Sequence, residues 1–178
     1  MALNERELRQ RIEFIPDRLY YVSLTSLPPL SARSDKYFFS IDQELIYWNF
    51  YLDFGPLNLG HLHKFLYILN NRLADPQLKD KTIYFYSGTH PHKRANAAFL
   101  IASWAMLCLH WTPEESFKPF KMASAVFPPW VSDIVAYLCL SLSLTVCISP
   151  SSPVTFICHI TFITSNLYMS YHLHHQQP

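Results

Sequence analysis

Arginine is absent from the later part of the chain: no arginine follows Arg94, although the sequence continues to residue 178. All four cysteines come after that point. Cysteine-dependent phosphoryl transfer needs a low-pKa thiolate and a following arginine that binds the phosphate oxygens. Because no Arg follows any Cys, these residues contain no catalytic pair for that chemistry.

The net charge and the number of glycines are also low. The net charge is +1, which gives no support for a nucleic-acid partner. Three glycines stand against thirteen prolines, a balance that indicates ordered elements joined by rigid turns. At 178 residues, half of them apolar, the chain can form one domain with a real core. A polar start at 1–10 and one cysteine in the first 130 residues favour an intracellular protein.

Formal charge almost disappears after residue 130, where Asp133 is the last charged side chain. We therefore predict a domain at 1–130 and a divergent, low-charge tail at 131–178. The tail has two apolar runs, 134–148 and 154–169, each shorter than the roughly 20 residues that span a bilayer. A membrane-anchoring hairpin is the less favoured interpretation, and a non-native extension is the favoured one.

Periodicity predicts strands alternating with helices, and hence an α/β fold, a mixed sheet flanked by helices. Strands are predicted at 14–24 with a break at Pro16, at 37–41 and at 82–86. Leucines at helical spacing, with Phe65 on the same side, predict a helix that starts after 55–56 and ends at 75–76. An almost wholly apolar helix is predicted at 95–110, and a capping box at Thr112 begins a short helix that ends near Phe120.

The segment 82–110 is the candidate site. A buried strand, a polar loop at 87–94 and a helix are typical of anion binding, because loop amides and the helix N-terminus converge on one point. Gly88, Lys93 and Arg94 are the candidate residues of a vestigial anion-binding loop. No thiol lies there, so we assign no catalytic residue. The alternative is an ordinary connection whose Lys93 and Arg94 are solvated.

Other candidates are weaker. His61 and His63 diverge on a helix, and His90 and His92 have no evident third ligand. His172, His174 and His175 in the tail could bind a metal only adventitiously. We therefore predict no metal and no cofactor. The aromatic cluster at 47–54 favours a core position over a stacking platform.

Several blocks together carry a family resemblance. They are FIPDRLY at 14–20, YFFSID at 37–42, EL at 44–45, NFY at 49–51, DFGPLNL at 53–59, KRANAAFLI at 93–101 and TPEE at 112–115. In this order over about 14–130, they resemble the N-terminal domain of the cell-division-cycle-fourteen family of dual-specificity protein phosphatases.

The resemblance implies two tandem domains of phosphatase-like α/β fold, with the catalytic Cys, Arg and Asp in the C-terminal one. The N-terminal one is non-catalytic and helps to shape the substrate groove. Members of the family favour phosphoserine before proline, oppose cyclin-dependent kinases, and occur at the nucleus, nucleolus, spindle and centrosome. Here the catalytic domain is absent, the match fades near 127–129 so that the domain at 1–130 is expected to be incomplete, and His90 stands where an acidic residue is expected.

We therefore expect a catalytically inactive binding module, nuclear or cytoplasmic, whose partners are a phosphatase catalytic domain or phosphoprotein substrates. Three alternatives remain open: a subunit acting in trans with a catalytic domain, a non-functional truncated product, and a membrane-tethered variant anchored by the tail.

Overall fold

The structure is a computed structural model that describes residues 2–27, 34–49, 53–123 and 125–128. Its helices are α1 (Ala2–Arg9), α2 (Leu59–Ala74), α3 (Pro91–Cys108) and α4 (Pro113–Met122), with a 3-10 turn at Pro76–Leu78. Its strands are β1 (Ile12–Ile15), β2 (Leu19–Ser23), β3 (Lys36–Phe39) and β4 (Thr82–Ser87). The predicted α/β fold is confirmed.

The four strands form one sheet in the order β1-β2-β4-β3. β4 pairs in parallel with both β2 and β3, while β1 is antiparallel to β2. The carboxyl ends of β2, β3 and β4 therefore lie at the same edge of the sheet. Ligands of open α/β sheets bind at such an edge, and the candidate site lies there.

The strand predicted at 14–24 with a break at Pro16 is two strands, β1 and β2, so the break is confirmed, although β1 already begins at Ile12. Pro16 has no backbone N–H to donate to a ladder, and the chain turns between β1 and β2. Asp17 adopts a left-handed conformation with φ of 54° in this turn. The backbone nitrogen of Arg18 donates to the carbonyl of Ile15 at 3.1 Å and closes it.

Helices α2, α3 and α4 pack on one face of the sheet. The helical leucine pattern is confirmed in α2, where Leu62, Phe65 and Leu69 are buried, although Leu59 at the start remains 43% exposed. Phe65 lies against Phe85 of β4, with ring centroids 4.9 Å apart. The apolar stripe of α2 therefore anchors the helix to the central strand.

Helix α3 is the most buried helix of the described residues, since all of its residues from Ala95 to Ala105 are buried. Trp104 is the largest buried side chain, and its indole nitrogen donates to Oδ1 of Asn70 on α2 at 2.8 Å. Within the described ranges, no helix is both long enough and apolar enough to cross a membrane.

The capping box at the start of α4 is confirmed. The Thr112 hydroxyl accepts from the Glu115 backbone nitrogen at 3.2 Å, and the Glu115 carboxylate accepts from the Thr112 nitrogen at 2.8 Å. Phe117 and Phe120 of α4 are buried, and Phe120 lies 5.7 Å from Phe14 of β1. This helix therefore covers the β1 side of the core.

Candidate functional site

The connection between β4 and α3 is shorter than the predicted loop 87–94. It comprises Gly88, Thr89 and His90, because α3 begins at Pro91. His90 is the N-cap residue, and its Nδ1 accepts from the His92 backbone nitrogen at 3.3 Å. Proline at the first helical position suits a helix start. Lys93 and Arg94 therefore belong to the first turns of the helix and not to a loop.

Ser87 ends β4 and has no exposed surface. Its hydroxyl lies 2.8 Å from the hydroxyl of Tyr21 on the neighbouring strand. Burial raises the pKa of Tyr21 to about 12, against the opposing effects of the Ser87 hydrogen bond and the Arg94 charge. Tyr21 is therefore protonated at neutral pH and cannot act as a base that activates Ser87 as a nucleophile.

Gly88 donates its backbone N–H to Oδ2 of Asp42 at 2.7 Å. The same carboxylate oxygen lies 3.9 Å from the Lys93 ammonium. A Cβ at Gly88 would lie 3.2 Å from that oxygen, so the absence of a side chain permits this close approach. Two of the predicted anion-binding residues thus meet around an anion that belongs to the chain itself.

Arg94 turns away from this carboxylate. Its Cζ lies 5.9 Å from the ring centroid of Phe127, and its charge acts on Tyr21. The structure therefore brings Gly88 and Lys93 together but places Arg94 in a different cavity. Asp42, which connects the first two, was missed by sequence reasoning as a site residue.

A cavity of about 310 Å³ lies beside Asp42 and Lys93. His92 lines it and stacks on Phe54 with ring centroids 3.8 Å apart. Burial, together with the neighbouring His90, lowers the pKa of His92. Asn96 also lines the cavity, and its Oδ1 is buried without a hydrogen-bond partner.

Metal binding finds no support in the described part of the chain, where no three His, Cys, Asp or Glu side chains could hold an ion. His90 and His92 have ring centroids 5.1 Å apart, but Nδ1 of His90 is already used as the helix cap. His172, His174 and His175 lie outside the described residues, as do the two apolar runs of the tail.

The aromatic cluster at 47–54 divides into two kinds of position. Phe54 is buried and Tyr47 packs against the core, with its hydroxyl donating to Asp53 at 2.5 Å. Trp48 is instead 83% exposed, so the core prediction was wrong for that residue. Phe50 and Tyr51 lie outside the described residues.

Comparison with known proteins gives the family. The model of the N-terminal half of dual specificity protein phosphatases matches residues 13–149. The chain belongs to this family. The match begins one residue before the FIPDRLY block at 14–20 and continues beyond residue 130. The domain boundary at residue 130 therefore remains a prediction.

Curated relatives of this phosphatase N-terminal half agree with the match. The chain is 41% identical over 131 residues to the human dual specificity protein phosphatase CDC14A, covering 74% of this chain and 21% of that protein. It is 41% identical over 129 residues to the tyrosine-protein phosphatase CDC14 homolog of Schizosaccharomyces pombe, covering 71% and 24%. It is 33% identical over 123 residues to CDC14 of Saccharomyces cerevisiae, covering 69% and 22%. The chain thus spans about a fifth to a quarter of the length of these relatives.

Proposed function

We propose that this chain is a non-catalytic phosphatase-family domain that acts as a binding module. It packs against a phosphatase catalytic domain and helps to hold phosphoprotein substrates, inside the cell and in the nucleus or cytoplasm. Membership in the family of phosphatase N-terminal halves supports the assignment. The absence of any cysteine with a following arginine in the sequence supports the lack of activity.

The observation that carries the proposal is the Asp42 carboxylate between Gly88 and Lys93. A phosphatase loop leaves its amides free for the phosphate of the substrate. Here the Gly88 amide already donates to Asp42 at 2.7 Å, and Lys93 faces the same oxygen at 3.9 Å. A phosphate at this point would meet a carboxylate, and like charges at short range repel.

The preceding residue adds to the argument. Ser87 is buried and bonded to Tyr21, so its hydroxyl cannot reach a substrate from the solvent. A nucleophilic serine needs an adjacent base and an approach path, and this serine has neither. The proposal therefore assigns residues 87–88 a structural role.

Exposed apolar side chains support a partner surface. Trp48, Met122 and Val126 are each more than 75% exposed. Tryptophan is enriched among residues that dominate binding energy at protein interfaces. We infer that Trp48 contacts the partner, and that the partner is a phosphatase catalytic domain supplied in trans.

Co-purification tests the pairing. The whole chain would be mixed with the part of human CDC14A that lies outside its matched segment, and the mixture analysed by size-exclusion chromatography. We expect a complex that Trp48→Ser weakens by about 2 kcal/mol or more, as at interface hot spots.

The matched control is Tyr67→Ser, which removes another exposed aromatic side chain, 67% accessible on α2. This variant should bind as the unaltered chain does. Absence of a complex at micromolar concentrations would contradict the pairing in trans. Equal weakening of the complex by both variants would contradict the assignment of Trp48 to the interface.

A further inference from the structure

A second cavity, of about 560 Å³, lies at the carboxyl ends of β2 and β4. It gathers side chains from α1, β2, the β4–α3 connection, α3 and the segment after α4. Three of these side chains are arginines, namely Arg9, Arg11 and Arg94, and Ser23 and Thr89 add hydroxyl groups. We call this cavity the arginine cavity. It concentrates positive charge in a chain whose net charge is only +1.

The arginine cavity has little internal compensation for that charge. Among the described residues, Glu7 is the only one with a carboxylate that lines the cavity, and both Glu7 oxygens accept from Thr25, at 2.6 Å from the hydroxyl and 3.3 Å from the nitrogen. No ion pair joins any of the three arginines to a carboxylate among the described residues. Guanidinium groups cannot lose their charge at neutral pH, so the cavity has an excess of fixed positive charge.

Arg94 is held in place within the cavity. Its guanidinium lies over Phe127, and Phe127 in turn packs on Phe120 of α4 with ring centroids 5.6 Å apart. Arg94 is half-buried, whereas Arg9 at the end of α1 is exposed. Arg11 is positioned by Tyr20, whose ring centroid lies 5.1 Å from its Cζ. Because packing already orients Arg94, binding of an anion would have to order mainly the exposed side chain of Arg9.

Hydroxyl groups complete the polar lining. Ser23 donates to the Gly88 carbonyl at 3.3 Å, which fixes its oxygen at the strand end. The Thr89 hydroxyl is exposed and has no hydrogen-bond partner among the described residues. It is therefore available to donate to an oxygen acceptor.

We propose that the arginine cavity binds a phosphoryl group carried by a peptide, with Arg94 and Arg9 as its principal contacts. The planar fork of arginine matches phosphate oxygens, and arginine clusters are a recurring mode of phosphopeptide recognition. The volume exceeds that of a single phosphate, which leaves room for the side chain and adjacent peptide atoms. The net charge of only +1 gives little support for binding an extended nucleic-acid backbone, so a peptide is the favoured carrier of the phosphoryl group.

Calorimetric titration of the whole chain tests this proposal. The probes are a phosphoserine peptide, the same peptide without phosphate, and inorganic phosphate as competitor. We expect the phosphopeptide to bind at least about tenfold more tightly than its unphosphorylated form, since hydrogen bonds between charged groups are the strong ones. Inorganic phosphate should displace it.

Variants locate the site. Arg94→Gln should weaken phosphopeptide binding about tenfold, and Arg9→Gln, at an exposed position, about threefold. Arg6→Gln is the matched control, because Arg6 lies on the same helix and does not line the cavity; its affinity should be unchanged. Arg9→Gln keeps the test decisive if Arg94→Gln fails to fold, which near-UV circular dichroism would reveal.

Three results would overturn the proposal. The first is equal binding of both peptides, and the second is equal weakening by Arg6→Gln and Arg9→Gln. The third is tighter binding of a single-stranded oligonucleotide than of the phosphopeptide. None of these results depends on pairing with a catalytic domain, so this proposal and the pairing can fail separately.

Discussion

The carboxylate of Asp42 accepts a hydrogen bond from the backbone nitrogen of Gly88 at 2.7 Å, across a separation of 46 residues. The parallel register of β3 and β4 explains the contact. Phe39 pairs with Phe85, and Asp42 and Gly88 each follow three residues later. The pairing of the two strands thus places the Asp42 carboxylate at the N-terminus of α3, where the helix would otherwise favour binding of an anion from solution.

Loss of this carboxylate should destabilise the domain. Asp42→Ala leaves the Gly88 N–H without its acceptor, and the Asp42 side chain is only 12% exposed. We expect the free energy of unfolding to fall by about 1–3 kcal/mol, measured by urea denaturation. Asp42→Asn keeps an acceptor oxygen and should lose less.

Asp35→Ala is the matched control, since Asp35 is 67% exposed and pairs with Lys36 at the surface. Its urea midpoint should not move, because exposed ion pairs contribute little. Equal midpoint shifts for the Asp35 and Asp42 variants would contradict the role given to Asp42.

Alkaline pH should destabilise the fold through Tyr21. Burial raises its pKa in the folded state to about 12, above the ordinary value of 10.0. The folded state therefore retains a proton that the unfolded state loses, so this contribution is complete below pH 10 and disappears as the pH rises towards 12. Two pKa units correspond to about 3 kcal/mol.

The Tyr21→Phe variant isolates this effect. It should be less stable at pH 7 by about 1–3 kcal/mol, because Ser87 loses its buried partner. It should not show the loss of stability that the wild-type protein shows between pH 10 and 12. Denaturation curves over that range measure both quantities. Parallel stability curves for the two proteins would show that Tyr21 titrates normally.

A better cap at the start of α3 should stabilise the domain. His90 caps the helix through an Nδ1 bond of 3.3 Å, and asparagine is among the preferred N-cap residues. We expect His90→Asn to raise the free energy of unfolding by about 0.5–1 kcal/mol. His63→Asn, at an exposed interior position of α2, is the control and should leave it unchanged. A loss of stability in His90→Asn would contradict the capping geometry.

We propose that residues 1–130 fold without the tail, although the domain at 1–130 was expected to be incomplete. Phe127 packs against Phe117 and Phe120 with centroids 6.2 and 5.6 Å apart, so the described core extends to this residue. A chain of residues 1–130 should therefore unfold cooperatively by near-UV circular dichroism. Chains that end at 149 and 178 are the comparisons, because the family match reaches 149. A cooperative transition that requires residues after 130 would move the boundary.

The parts of the fold that sequence reasoning predicted depend on local signals. Leucine spacing and the Asp75–Pro76 stop define α2, and the Thr112 and Glu115 pair defines α4. The start of α3 was misplaced by four residues, from Ala95 to Pro91, because histidine is not a usual cap. His90 followed by Pro91 was the signal that could have located it.

The candidate site depends on non-local contacts and was predicted only in part. Gly88 and Lys93 were identified from the strand–helix connection, but Asp42 reaches them only through the pairing of β3 with β4. Arg94 was expected beside them, and its packing on Phe127 directs it elsewhere. Arg9 and Arg11, far from Arg94 in the sequence, were not considered, since no local pattern connects them.

Hydrolysis of a phosphoserine peptide by the purified chain tests the central claim most directly. Phosphate release would be measured with and without vanadate, with human CDC14A as the active reference. We predict no vanadate-sensitive release above the buffer rate, because the site around Gly88 has an internal carboxylate and no nucleophile. Vanadate-sensitive release that Arg94→Ala abolishes would contradict the account.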